Sequence, residues 1–184
     1  MAAATDRKPA PDDLVLNLEH VFDAPRALVF RLWSSPDHIS RWWGPRGYHL
    51  GHCEMDFRVG GSWRFCMQPE GRPGHWIHGE YREIRPPERL SFTYINDSDG
   101  HEMLVELDFL VEGQKTRLIF RQAEFLNVAE RDGHRGGWSQ TFGILDRYVG
   151  LYKSRELPES RLGWRDVADG GDLPSAVAGA DGGH

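Results

Sequence analysis

Met103, Val105, Leu107, Phe109 and Val111 occupy every second position of one stretch of the chain. A period of two puts all five on one face of an extended strand, turned toward a core. The same alternation recurs in Leu90-Ser91-Phe92-Thr93-Tyr94, in Trp63, Phe65 and Met67, and in Leu118 and Phe120 within Thr116–Gln122. His49–Phe57 and His75–Ile84 read as two further strands, and Leu14–Phe22, with Leu14, Leu16 and Leu18 alternating, as the first. Turn clusters separate them at Gly60-Gly61, Gly71-Arg72-Pro73-Gly74, Pro86-Pro87, Asn96–Gly100 and Glu112-Gly113-Gln114-Lys115.

Elsewhere the period changes. Asp23 is placed to cap a short helix carrying Ala27, Leu28, Phe30, Leu32 and Trp33, with Pro25 near its first position. Ser35-Pro36-Asp37 starts a second helix through Trp43, which Gly44-Pro45 ends. Near the end, Trp138, Phe142, Leu145, Val149 and Tyr152 recur at spacings of three and four, one continuous apolar stripe on a long helix. Gly133, Gly136 and Gly137, just before it, read as loop and close-approach glycines rather than a phosphate cradle. The order is strand, two short helices, six antiparallel strands and a long helix whose stripe must pack on the sheet, an α+β fold.

Composition sharpens this picture. Of 184 residues, 39% are hydrophobic and 27% charged, which supports a packed core and excludes wholesale disorder. Seven Trp, nine Phe and five Tyr favour an interior lined by large side chains. The polar stretch 1–12 reads as a disordered arm, 13–153 as the folded domain, and 154–184 as an extension, mostly disordered from about 165 because its Gly, Ala, Asp and Ser bury too little apolar surface. The net charge is −6, but three acids and two bases precede residue 14 and six acids and four bases follow residue 152, so the segment between carries −3. A near-balanced domain has no electrostatic footprint for nucleic acid or an anionic membrane surface. No run reaches the ~18 apolar residues of a spanning helix, so membrane insertion is not expected, and the opening residues do not read as a signal peptide. Cys53 and Cys66 read as free thiols of a reducing, cytoplasmic compartment.

Four motifs then carry a resemblance. Trp42-Trp43-Gly44-Pro45, Asp56-Phe57-Arg58-Val59-Gly60-Gly61-Ser62-Trp63, Gly79-Glu80-Tyr81-Arg82-Glu83-Ile84-Arg85-Pro86-Pro87-Glu88-Arg89-Leu90, and Gly137-Trp138 with Leu145 following occur in that order. Together they resemble one branch of the START-like (SRPBCC) superfamily, that of the activator of the Hsp90 ATPase (AHSA1-like), over residues 14 to 152. The resemblance implies a helix-grip fold, a curved antiparallel sheet around a long C-terminal helix with a cavity between them. The co-chaperone that names the family has a separate N-terminal domain, so a stand-alone bacterial type is the expectation here.

For the cavity, the expected ligand-binding residues are Trp43, Trp63, Phe65, Met67, Trp76, His78, Phe92, Tyr94, Phe109, Phe120, Trp138 and Phe142. Trp76 and His78 share a strand face and are expected to reach inward; Tyr81, Tyr94 and Gln140 are further polar candidates that could do so, whereas Arg64 reads as solvent-facing. Solid filling of the interior by the same side chains is the alternative. The Trp42-Trp43 corner fits either a lid or a hydrophobic plug, and Asp56 with Arg58 a turn-stabilising ion pair. His49, His52 and Cys53, or His75 with His78, fail as metal sites because strand residues three apart face opposite ways. No nucleophile elbow, phosphate loop or dinucleotide fingerprint occurs, so no cofactor is expected.

Three functions follow. The leading one is binding of a small hydrophobic molecule (a lipid, polyketide-like or aromatic metabolite) in the cavity. A second is a cyclase-like enzyme there, with His78 paired to Tyr94 or Glu80 for acid–base work. The third is an Hsp90-type co-chaperone or stress-response interaction module. An exposed edge strand leaves a homodimer open.

Overall fold

The computed structural model describes residues 10–154. The rest of both predicted flanks lies outside the described residues. Within the described part of the arm, Pro11–Leu14 form a 3-10 turn, tied by the Ala10 N–H donating to the Asp13 carboxylate at 2.9 Å. Leu14 therefore leaves the first strand, which begins at Leu16.

Seven strands form one antiparallel sheet: β1 (Leu16–Phe22), β2 (Tyr48–Met55), β3 (Ser62–Pro69), β4 (His75–Arg85), β5 (Arg89–Asn96), β6 (Glu102–Glu112) and β7 (Lys115–Ala123). Their spatial order is β1-β7-β6-β5-β4-β3-β2, so every neighbour is joined by a hairpin except β1, which crosses to pair with β7. The sheet curls into a half-barrel that closes on the C-terminal helix, the helix-grip architecture. Helices α1 (Arg26–Arg31) and α2 (Pro36–Trp42) fill the crossover between the two edge strands, and α3 (Val128–Lys153) lies across the concave face.

Alternation decides which side chains enter. On β3, Trp63, Phe65 and Met67 are buried while Ser62 and Arg64 are exposed, and on β6 Met103, Val105, Leu107 and Phe109 are fully buried. Trp138, Phe142, Leu145 and Val149 of α3 close the core from the other side. Two glycines of the motifs are required by close approach. A Cβ on Gly61 would stand 2.0 Å from the Asp56 carbonyl oxygen, and one on Gly79 would stand 1.9 Å from that of Thr93 and 2.7 Å from the indole nitrogen of Trp63.

Helix α3 starts ten residues before the apolar stripe. Asn127 caps it by accepting the Glu130 N–H at 2.9 Å, and the Glu130 carboxylate accepts the Leu126 N–H at 2.9 Å. Gly133, Gly136 and Gly137 are therefore helical residues and not a loop, since a capped end outweighs their poor propensity. Asp23 is not a helix cap either. Pro25 occupies the N-cap position of α1 without a side-chain hydrogen bond, and Asp23 instead accepts from Lys153 Nζ at 3.2 Å, pinning the last turn of α3.

The convex face carries charge in paired form. Arg89 donates to Glu83 at 2.8 Å, to Glu106 at 2.6 Å and to both oxygens of Asp108 at 2.9 Å, and Arg121 reaches the second Glu106 oxygen. Asp56 and Arg58 pair at 2.8 Å beside the Gly60-Gly61 turn. Cys53 lies opposite Phe65 and Cys66 opposite His52. One step of register puts the two sulfurs on opposite faces, and both thiols are free.

Candidate functional site

The interior is filled by aromatic rings at its centre and opens at one end. Trp33, Trp43, Trp138, Phe120 and Phe142 pack in edge-on and offset contacts with centroids 4.7–6.3 Å apart. Trp42 donates its indole N–H to the Leu32 carbonyl at 2.9 Å and packs on Trp33, which plugs α2 onto α1. Trp43 reaches further in, against Trp63, Phe65 and Phe92. The corner thus uses one tryptophan as a plug and the next as a wall.

On one side of Trp43 a crevice of about 10 Å³ among Trp63, Phe65, Tyr81 and Phe92 is too small to hold more than a water molecule. On the other side lies a pocket of about 170 Å³. Its walls come from three places: Trp43, Gly44, Pro45 and Tyr48 after α2; Met67, His75 and Tyr94 on the sheet; and Gly133, His134, Gly137, Trp138 and Thr141 on α3. Gly133, Gly137 and Thr141 recur at intervals of four and so line one helix face. A Cβ at either glycine would meet nothing within 4 Å. The glycines are what keep this end of the interior open.

The polar groups of the pocket are ordered by one buried side chain. Gln122, fully buried on β7, accepts at its Oε1 the Trp138 indole N–H at 2.9 Å and a contact from His134 Nδ1 at 3.1 Å. Its amide nitrogen faces Met103 Sδ at 3.5 Å. Burial lowers the pKa of His134, opposed by the nearby Glu130 and Asp99 carboxylates. Burial raises that of the Tyr94 hydroxyl, so tyrosine stays protonated beside a neutral imidazole, ring centroids 5.4 Å apart. The Thr141 hydroxyl is already satisfied, donating to the Gly137 carbonyl at 2.9 Å.

Of the twelve residues expected to bind ligand, Trp43, Met67, Tyr94 and Trp138 line this pocket. Trp63, Phe65 and Phe92 border the crevice, and Phe109, Phe120 and Phe142 belong to the packed centre. Trp76 and His78 are a correction: both stand on the convex face, because Ile77, Gly79 and Tyr81 supply the inward parity of β4. Trp76 is 36% exposed, with Arg64 over its ring at 4.7 Å, and His78 Nδ1 lies 2.5 Å from Asp97. An acid–base pair of His78 with Tyr94 is thereby ruled out, the two being on opposite faces, and Glu80 is engaged by Arg82 at 2.7 Å. Gln140 also points away; it is exposed and accepts the Arg46 N–H at 3.2 Å.

His134, Thr141, Tyr48 and His75 are absent from the sequence-based set. The signal for His134 was present in the capping pair Asn127 and Glu130, which extends the helix across the glycines and places His134 one turn before Trp138 on the stripe side. Cys53 is no candidate nucleophile, because burial, with Asp37 adding to it, pushes its thiol up to about 12.

Residues 23–150, from the end of β1 into the last turns of α3, match the family described as Activator of Hsp90 ATPase homolog 1-like protein. The chain belongs to that family. Solved structures agree with the fold. The AHSA1 protein from Silicibacter pomeroyi is similar at 26% identity and a TM-score of 0.67, over 75% of this chain and 99% of that one. Protein CV1439 from Chromobacterium violaceum gives 24% identity and 0.67, over 74% and 96%. Protein NE0264 from Nitrosomonas europaea gives 22% and 0.68, over 77% and 97%. No curated protein matches the chain. No helix among the described residues is long and apolar enough to cross a membrane.

Proposed function

We propose that this AHSA1-like domain binds a small, largely apolar molecule in the pocket between Trp43, Tyr94 and the first half of α3. The observation that carries the reading is the glycine-walled face of that helix. A helix that presents Gly133 and Gly137 to empty space gives up about 1 kcal/mol per residue relative to alanine. Alanine there would add helix propensity without meeting any neighbouring atom, so the glycines leave open space along the pocket at a cost to the helix.

The volume of about 170 Å³ is below the ~300–1,000 Å³ of drug-sized sites, which points to a ligand of about one ring rather than a lipid chain. Burial of apolar area at ~25 cal/mol per Å² would supply most of its affinity. A thermal-shift screen of the full chain against single-ring and bicyclic hydrophobic metabolites tests this. A ligand at a hundred times its Kd stabilises the native state by ~2.7 kcal/mol, a rise of several degrees. The Gly137→Leu variant, which fills the space, abolishes the shift if the pocket is the site. A shift that persists in this variant would move the site elsewhere.

Family membership supports a second reading, docking on an Hsp90-type chaperone. Absence of binding at tens of micromolar in a pull-down with such a chaperone would dismiss it.

A further inference from the structure

The polar end of the pocket is more specific than its apolar walls. An indole N–H can only donate, so the 2.9 Å contact from Trp138 fixes which end of the Gln122 carboxamide is oxygen. An oxygen facing His134 Nδ1 at 3.1 Å requires a hydrogen on that nitrogen. In a neutral ring the hydrogen on Nδ1 leaves Nε2 bare, an acceptor with its lone pair unused.

That lone pair has no hydrogen-bond partner among the described residues. It is not sealed in the protein either: among the described residues, the buried polar side-chain atoms without a partner are Arg31 Nη1, Trp33 Nε1 and Trp63 Nε1. The Tyr94 hydroxyl stands in the same condition, without a partner among the described residues and yet outside that set. Both side chains line the pocket. One therefore offers it an acceptor and the other a donor.

We infer that the pocket takes a neutral single-ring alcohol or phenol, whose hydroxyl donates to His134 Nε2 and accepts from the Tyr94 hydroxyl. This rests on the proposed function and names its ligand class. Size agrees, since an engineered apolar cavity of about 150 Å³ holds one benzene. Charge agrees as well. Glu130 and Asp99 act on His134 with negative charge, which disfavours a carboxylate or phosphate in the same place. A hydroxyl satisfies both of these pocket-facing groups at once, whereas a hydrocarbon of equal size covers them and leaves both unpaired.

The test uses two probes of one shape, 4-methylphenol and 1,4-dimethylbenzene, titrated into the full chain by calorimetry. Side-chain 15N–1H correlation spectra of His134 are recorded in parallel. The expected result is binding of 4-methylphenol about five- to tenfold tighter. The spectra should show His134 with Nδ1 protonated and Nε2 bare, and only the phenol should move the Nε2 resonance. His134→Phe should erase the preference while keeping affinity for the hydrocarbon. Equal affinity of the native chain for both probes, or a protonated Nε2, would overturn the hydroxyl assignment and leave the pocket reading standing. Binding of neither probe would overturn both. The probe pair and the spectra need no variant, so misfolding of His134→Phe would not rescue the idea.

Discussion

The indole N–H of Trp138 holds the Gln122 carboxamide oxygen at 2.9 Å, deep between α3 and β7. Together with the His134 Nδ1 contact to the same oxygen at 3.1 Å, this bond joins the helix to the sheet at the pocket's inner end. Removing the acceptor in Gln122→Leu leaves the Trp138 donor buried and unpaired. The expected loss is about 1–3 kcal/mol in urea denaturation with an unchanged m-value. Unaltered stability would mean that water reaches the indole.

Gly137→Ala should do the reverse. Its Cβ enters open space, so the gain in helix propensity is uncompensated and stability rises by about 0.5–1 kcal/mol. Affinity for any ligand of the pocket should fall in the same variant. A destabilised Gly137→Ala in chemical denaturation would show that the wall is already closed.

Gly79→Ala tests the opposite kind of glycine. The added carbon would meet the Thr93 carbonyl oxygen at 1.9 Å, which β4 and β5 cannot yield without separating. A loss of about 4 kcal/mol or more is expected, at the upper end for a single methyl group. A mild effect on the thermal midpoint would place that carbonyl elsewhere.

Three histidines set the response to acid. Burial holds His38, His75 and His134 below the usual imidazole range; Arg31 adds to the effect on His38, where Asp37 opposes it. The unfolded chain takes up protons near pH 6.5 that the folded chain refuses. Their contribution is therefore complete above that pH and is lost as pH falls below it. Glu83, held low first by the hydrogen bond from Arg89, loses its contribution only further down, as pH falls through 4.5 and below. The urea midpoint should drop between pH 7.5 and 5.5. A flat profile over that interval would mean the folded chain protonates as readily as the unfolded one.

Strand alternation made most of the architecture legible. The period-two runs around Phe65, Phe92 and Phe109 and the stripe from Trp138 to Val149 fall where burial places them. Parity failed on β4 because Trp76 and His78 outweighed Ile77, Gly79 and Tyr81 as an apolar signal. A tryptophan covered by an arginine and a histidine on the outer face looks, in sequence, like one turned inward. The candidate site was legible only in its walls. Gln122 lies on the inward parity of β7 yet carries no apolar signal, and its role appears only when Trp138 and His134 converge on it from another element. The glycines hid His134, since propensity argues for a loop wherever capping is not weighed against it.

Those glycines also bear on how anything gets in. Gly133, Gly136 and Gly137 fall within two turns of α3, and each loosens the helix where it borders the pocket. Beyond Trp138, by contrast, the helix is held by Phe142, Leu145 and Val149, by His20 on Asp146 at 2.8 Å, and by Lys153 on Asp23. The first turns of α3 are held chiefly by polar contacts, the Asn127 cap, Arg131 on the Asp13 carbonyl and His134 on Gln122, whereas the later turns are held by packing as well. The pocket already opens beside the glycine-bearing turns, so what the glycines set is how often the helix fluctuates at its mouth while the sheet stays shut, a rate that amide hydrogen exchange from Arg131 to Trp138 would time directly.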